Sequence, residues 1–540
     1  MGDDRSRTPN GTSNGHSDPI KRFPSPPKQD PHPAVQSFYL PTGLFGRILA
    51  IPSQILFALM GLVGMAHYAR QIVRVRPRKA GAVVLNKTTE GADGADGAMN
   101  VDEWIVKNTP SLNGTYKPAW WLPNGHLQTF FIISGDFSKT DKVDYVRTTL
   151  RVPDGGTLAV DITPPNHEEL PADAPTVLVC HGLTGNASES YVRNVLAWVI
   201  KPKSEGGLGG RGVVSNFRGC GGQPVTSTQF YSAAASVDVN TISHYVRHRF
   251  PQSAVHGIGF SLGAGALARY LGESGEDSQL SSGCMIGCPW DMPALSHSLE
   301  DGWFSSRVYS SALGVNLMKM FFRNYDANPA LFEDPKNSRV HDVMHEFRRL
   351  RDMGSKIRLY MVDEFLTSRV GGPSAPWPFN GFQEYYNYAS SHKVIHNIKV
   401  PSLGINAFDD PVVHGEALPV EQVQNSSHVH LAVTGSGGHL GWFDSPSPYG
   451  PQSKSRWVRT PIAEFLSAAA RDLPPRPPVA VVQEEDGWEY VDAPPAPTQL
   501  DADPARIGWR VLMVDGHMTS WEEREREQGK EGGKESFQGL

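Results

Sequence analysis

Cysteine is scarce in this sequence. Cys180, Cys220, Cys284 and Cys288 are the only four in 540 residues. Their number and spacing exclude a disulfide framework and a cysteine zinc site, and all four read as apolar core residues. Net charge is also small. Fifty Lys and Arg against 56 Asp and Glu leave −6, which argues against a nucleic-acid partner. Hydrophobic residues make up only 39%, below the usual share for a globular chain. One normal core flanked by unfolded ends is therefore expected. Long uncharged apolar runs are rare as well. Only Ile48 to Ala66 approaches the ~20 residues that span a bilayer, with Pro52, Ser53 and Gln54 interrupting its first third.

The ends divide accordingly. Residues 1–40 are rich in Ser, Pro and Gly and should be disordered. Residues 44–68 are expected to form a single membrane anchor. Arg70, Arg74, Arg76, Arg78 and Lys79 follow it, which the positive-inside rule would place on the cytosolic side. Residues 80–100 read as a flexible linker and 101–470 as the folded domain. The Pro-rich and charged tail, 474–540, should be mostly disordered, with one short ordered element at Arg506 to Met513.

Within the domain, apolar strand-like runs alternate with helical ones. Thr176 to Cys180, Val213 to Asn216, Ala254 to Ile258 and Cys284 to Cys288 are separated by Ser190 to Ile200, Val237 to Phe250 and the helix after Gly263. This spacing predicts a mostly parallel sheet with helices on both faces. A hairpin around Pro153-Asp-Gly-Gly156 precedes it. Pro289 to Lys399 interrupts the alternation and predicts a helical cap, rich in aromatic residues and methionine.

Gly259-Phe260-Ser261-Leu262-Gly263 lies between a strand and a helix. A serine held on such a turn exposes its hydroxyl at the end of a sheet and at a helix N-terminus. Serine needs a base, and the base needs an orienting acid. Asp409 and Asp410 end the strand-like run from Val400, and His439 follows the strand His428 to Thr434. The order serine, acid, histidine is that of α/β-hydrolases. Ser261 is the candidate nucleophile, His439 the candidate general base and acid, and either aspartate the candidate charge relay. An oxyanion hole needs two N–H donors. Leu262, next to the serine, and Leu183, in His181-Gly-Leu-Thr-Gly185, are the candidates.

The chain resembles the membrane-anchored branch of the α/β-hydrolase-domain proteins, which includes fungal medium-chain fatty acid ethyl ester synthase/esterases and related animal lipid hydrolases. The resemblance is carried by Trp121-Leu-Pro-Asn-Gly-His-Leu-Gln-Thr129, His181 to Gly185, Asn216-Phe-Arg-Gly-Cys-Gly-Gly222, Gly259 to Gly263, Asn406-Ala-Phe-Asp-Asp-Pro411 and Gly437-Gly-His-Leu-Gly441. It implies the α/β-hydrolase fold and selects Asp410 over Asp409. It also implies esterase or lipase chemistry on acyl esters, extending to acyl transfer onto an alcohol, with no metal or cofactor. With the anchor at 44–68, a membrane location is expected, the endoplasmic reticulum, the lipid droplet and the mitochondrial outer membrane being the options. His126 reads as structural, and Arg218 as paired with an acid. Asp363-Glu-Phe-Leu-Thr-Ser368 also matches the family, without a catalytic role. A phospholipase and, from a different class, a non-catalytic membrane-associated binding protein are the rival readings.

Overall fold

A computed structural model describes residues 20, 22–24, 32–38, 71–86, 97–234, 236–372, 375–449, 454–492 and 506–517. One sheet organises them. Its strands are β1 (Ile72–Val75), β2 (Val146–Arg151), β3 (Thr157–Thr163), β4 (Thr176–Cys180), β5 (Arg211–Asn216), β6 (Val255–Phe260), β7 (Ser282–Ile286), β8 (Ser402–Ala407), β9 (Val429–Thr434), β10 (Val481–Gln483), β11 (Glu489–Val491) and β12 (Gly508–His517). The spatial order is β1-β9-β8-β7-β6-β4-β5-β3-β2-β12-β11-β10.

The run from β9 to β5 is parallel, and antiparallel strands extend both edges. Every residue of β4 to β9 is buried, because helices cover both faces. Side chains alternate across the sheet. Leu178 and Cys180 join one core, whereas Val177 and Val179 join the other.

The crossover helices are Ser190–Val199 between β4 and β5, Ser236–Arg249 between β5 and β6, and Leu262–Ser274 between β6 and β7. Each lies where the alternation predicts a helix. Between β7 and β8 lies the cap, with helices that include Met292–Glu300, Ser311–Ala327, Leu359–Phe365 and Phe382–Ala389. The four cysteines are buried free thiols.

The ends correct the sequence reading. Within 1–40, the described residues pack on the domain. Phe23 meets Phe382 edge-on at 5.5 Å, and Phe38 stacks on Phe408 at 4.9 Å. These half-buried rings join the described residues of a polar stretch to the domain core. Within 80–100, Ala82–Val84 pairs antiparallel with Ala98–Asn100. Asn100 then accepts hydrogen bonds from the N–H groups of Asp102 and Glu103 and caps the helix Val101–Asn108. The two ends of the expected linker are therefore paired strands, and residues 87–96 lie outside the described residues.

In the tail, β12 covers the otherwise open edge of β2, which removes a row of unpaired backbone groups. It is longer than the expected element, and β10 and β11 add to it. Trp509 is fully buried and donates to Glu489 at 2.6 Å. The expected anchor, residues 44–68, lies outside the described residues. Among the described residues no helix is long and apolar enough to cross a membrane. Two of the arginines after it belong to the fold. Arg76 Nε donates to Asp102 at 2.7 Å, and Arg74 Nε donates to His430 at 3.0 Å.

Candidate active site

Ser261 joins β6 to the helix Leu262–Ser274, with φ 51° and ψ −124°. A non-glycine residue there costs about 1–3 kcal/mol, so the surroundings must hold it. The Ser261 N–H donates to the Ile286 carbonyl at 2.9 Å. Gly263 allows the turn to press against the exit of β4: a Cβ there would stand 2.3 Å from the His181 carbonyl oxygen.

His439 reaches this turn from the loop after β9. Its Nε2 lies 2.7 Å from Ser261 Oγ, and its Nδ1 lies 2.7 Å from Asp410 Oδ2. A carboxylate only accepts, so Nδ1 carries the hydrogen and Nε2 accepts from the serine hydroxyl. Asp410 Oδ1 accepts from the N–H groups of Val412 and Val413 at 2.7 and 2.9 Å. All three side chains are buried.

The neighbouring aspartate takes a different position. Asp409 Oδ1 accepts from the Gly438 N–H at 3.0 Å, and burial pushes its carboxyl up to about 6. Geometry thus brings Asp410, not Asp409, onto the histidine, while Asp409 holds the loop that carries it.

Leu183 and Leu262 face the same cavity as Ser261. Their backbone N–H groups donate to no acceptor among the described residues. Beside them, the Thr184 N–H is engaged by the Tyr231 hydroxyl at 2.8 Å. His181 braces this loop from within: its Nε2 accepts from the Phe217 N–H at 3.1 Å and its Nδ1 donates to the Gly182 carbonyl at 2.8 Å. Burial lowers its pKa to about 4, so the ring is neutral. Arg218 pairs with Asp238 at 2.7 Å and with Asp154 at 2.5 Å.

Two cavities flank the hydrogen-bonded chain. A narrow one of about 40 Å³ lies at Ser261 and is mainly apolar, with Leu313, Leu317 and Leu359 contributed by the cap. A wider one of about 600 Å³ lies at the acid loop and includes Asp409, Asp410, His126 and Phe304. His126 Nδ1 meets the Tyr309 hydroxyl at 2.8 Å in its wall. Among the described residues, no group of three His, Cys, Asp or Glu side chains could hold a metal ion.

The sequence reading missed the part played by Gly125, Gln128 and Thr129. Thr129 Oγ1 accepts from the His439 N–H at 2.9 Å, and Gln128 Oε1 accepts from the Phe443 N–H at 2.7 Å. Gly125 sits against the acid loop, where a Cβ would lie 1.9 Å from the Asp409 carbonyl oxygen. This motif thus positions the histidine loop. The signal in the sequence is the Trp121 to Thr129 motif, which reads as a buried segment packed under the active site.

A serine turn at a strand end, a doubly wound parallel sheet and a histidine between serine and acid define the α/β-hydrolase architecture. Residues 175–302 match the family model described as alpha/beta hydrolase fold. The protein is a hydrolase of this fold, and its homologues are ABHD-family α/β hydrolases. It is 28% identical to a monoacylglycerol lipase of Saccharomyces cerevisiae, over 70% of this chain and 87% of the relative. It is 27% identical to medium-chain fatty acid ethyl ester synthase/esterase 2 of the same yeast, over 68% and 89%. It is 26% identical to human phospholipase ABHD3, over 69% and 83%.

Proposed function

We propose that the protein hydrolyses acyl esters of lipids, with Ser261 as nucleophile, His439 as general base and then acid, and Asp410 as the orienting carboxylate. The observation that carries this reading is the hydrogen-bonded chain from Ser261 through His439 to Asp410, set against an apolar cavity. His439 Nε2 takes the hydroxyl proton as Ser261 Oγ attacks the ester carbonyl. The N–H groups of Leu183 and Leu262 receive the oxyanion, each worth about 3 kcal/mol in the transition state. The proton passes from His439 to the leaving alcohol, and the acyl-enzyme forms. Water, activated by the same histidine, then releases the acid.

An alcohol in place of water would yield a new ester through the same residues. The relative named a synthase/esterase favours this second outcome. The monoacylglycerol lipase and phospholipase among the relatives favour glycerol-based substrates. Residues 44–68 serve as the membrane anchor in this reading. Leu56→Arg combined with Leu59→Arg should move the protein from the carbonate-resistant membrane fraction to the soluble one.

The activity test uses the full chain, since β1 and Phe38 are part of the fold. It compares esters from two to eighteen acyl carbons, with and without ethanol, for the wild type and Ser261→Ala. Hydrolysis lost in the variant supports the reading, and ethyl esters appearing with ethanol support acyl transfer. Undiminished hydrolysis by Ser261→Ala would overturn it.

A further inference from the structure

The cavity at Ser261 is apolar on most of its wall, yet one carboxyl lines it. Asp363 lies on the cap helix Leu359–Phe365 and is the single charged residue in that lining. It is buried, with 4% of its surface exposed. Its Oδ1 accepts from the Thr367 hydroxyl at 2.5 Å, and its Oδ2 accepts from the Tyr386 hydroxyl at 2.6 Å. No cation pairs with it among the described residues.

A carboxyl without a cation in an apolar wall is expensive to ionise. Burial pushes this one up to about 6, although both hydroxyls favour the charged form. Near neutral pH it therefore keeps a proton for part of the time and can donate as well as accept.

Two other polar side chains of the lining are engaged with the backbone. Tyr385 accepts from the Ala233 N–H at 3.1 Å, and Ser232 donates to the Gly371 carbonyl at 2.9 Å. A carboxyl offers about four acceptor positions, and two are filled here. Asp363 is thus the charged group of this wall, and it has bonding capacity left over. An alkyl chain laid against it would cover that capacity with methylenes. A chain carrying a hydroxyl or carbonyl oxygen would use it.

We propose that Asp363 makes the Ser261 cavity selective for acyl chains bearing an oxygen substituent, such as hydroxyacyl esters, over unsubstituted chains of the same length. This rests on the reading of Ser261 as nucleophile. Asp363 acts through contact with the acyl chain and takes no part in proton transfer at the ester. Its hydrogen bonds to Thr367 and Tyr386 fix the carboxyl in the wall, because they join three successive cap helices.

The test uses the full-length protein and paired ethyl esters. Each pair has an unsubstituted six- to eight-carbon chain and the same chain with one hydroxyl, moved stepwise from carbon 3 to the chain end. The wild type should favour the hydroxylated partner in kcat/KM by about tenfold at one or two adjacent positions. Asp363→Leu should abolish or reverse that ratio, and Asp363→Asn, which keeps a donor and an acceptor, should retain part of it. A wild-type ratio near one at every position would overturn the proposal, whether or not either variant folds. So would an unchanged ratio in Asp363→Leu. Failure of the hydrolase reading would look different, since neither member of any pair would be cleaved.

Discussion

The turn at Ser261 and the cap above it wall the same cavity, but they are held in different ways. The turn is fixed by backbone: a strained φ, an N–H bond to Ile286, and a glycine too close to His181 for any side chain. The cap is fixed by side chains. Phe321 stacks on Phe347 at 4.5 Å, and Asp363 ties Thr367 to Tyr386. Backbone constraints are local in sequence and tolerate few residues. Side-chain packing accepts many solutions, provided that volume is kept. Chemistry should therefore be sensitive at the turn and its partners, and selectivity should be adjustable in the cap.

The largest effect is expected within the triad. Asp410→Asn should lower kcat by about 10³–10⁴-fold, because it loses the acceptor that fixes the His439 tautomer. Asp409→Asn keeps an oxygen for the Gly438 N–H and should cost far less. Equal losses in steady-state kinetics would break the distinction between these neighbours.

In the cap, Leu317→Ala should shift the preferred acyl chain to a longer one. The ratio between chain lengths should change by about thirtyfold, while Ser261 remains reactive to a fluorophosphonate. A uniform loss across all chains would mean that the cap positions the chemistry as well.

Thr129→Val removes the acceptor for the His439 N–H. A lost hydrogen bond of about 1–1.5 kcal/mol should lower kcat roughly tenfold, with KM little changed.

The last effect concerns stability. His256 is buried on β6 beside Ser282, with its pKa lowered to about 4 by desolvation. Its unfolded value is near 6.5. Between these values the unfolded chain binds a proton that the folded chain refuses. Its contribution to stability is thus present above pH 6.5 and is lost as pH falls towards 4, at about 1.4 kcal/mol per pH unit. Asp409 and Asp363, raised to about 6, act in the opposite direction over the acid range. The comparison is therefore between proteins. His256→Gln should show a shallower loss of denaturation midpoint on acidification than the wild type, read by urea titrations at pH 7, 5.5 and 4.5.

The same contrast explains what could be read from the sequence. The strand and helix alternation and the Gly259 to Gly263 turn rest on local patterns and were legible. So was the order of serine, acid and histidine. Spacing could not separate Asp409 from Asp410, because both end the same strand. The difference lies in which side chain meets a histidine 29 residues away. The Thr129 contact joins residues 310 apart and leaves no periodic trace. Composition suggested an unstructured tail, yet the open edge of β2 gave Gly508–His517 a partner. Phe23 and Phe38 likewise found apolar surfaces that only the folded cap and acid loop create. Asp363 lies in the Asp363 to Ser368 motif, but its place in the cavity wall depends on the packing of the cap helices.

The most direct measurement is covalent labelling of the full-length protein with a fluorophosphonate, followed by peptide mass spectrometry. One adduct is expected, on Ser261. Labelling should be lost in Ser261→Ala and strongly slowed in His439→Ala. An adduct on another residue, or undiminished labelling without His439, would contradict it.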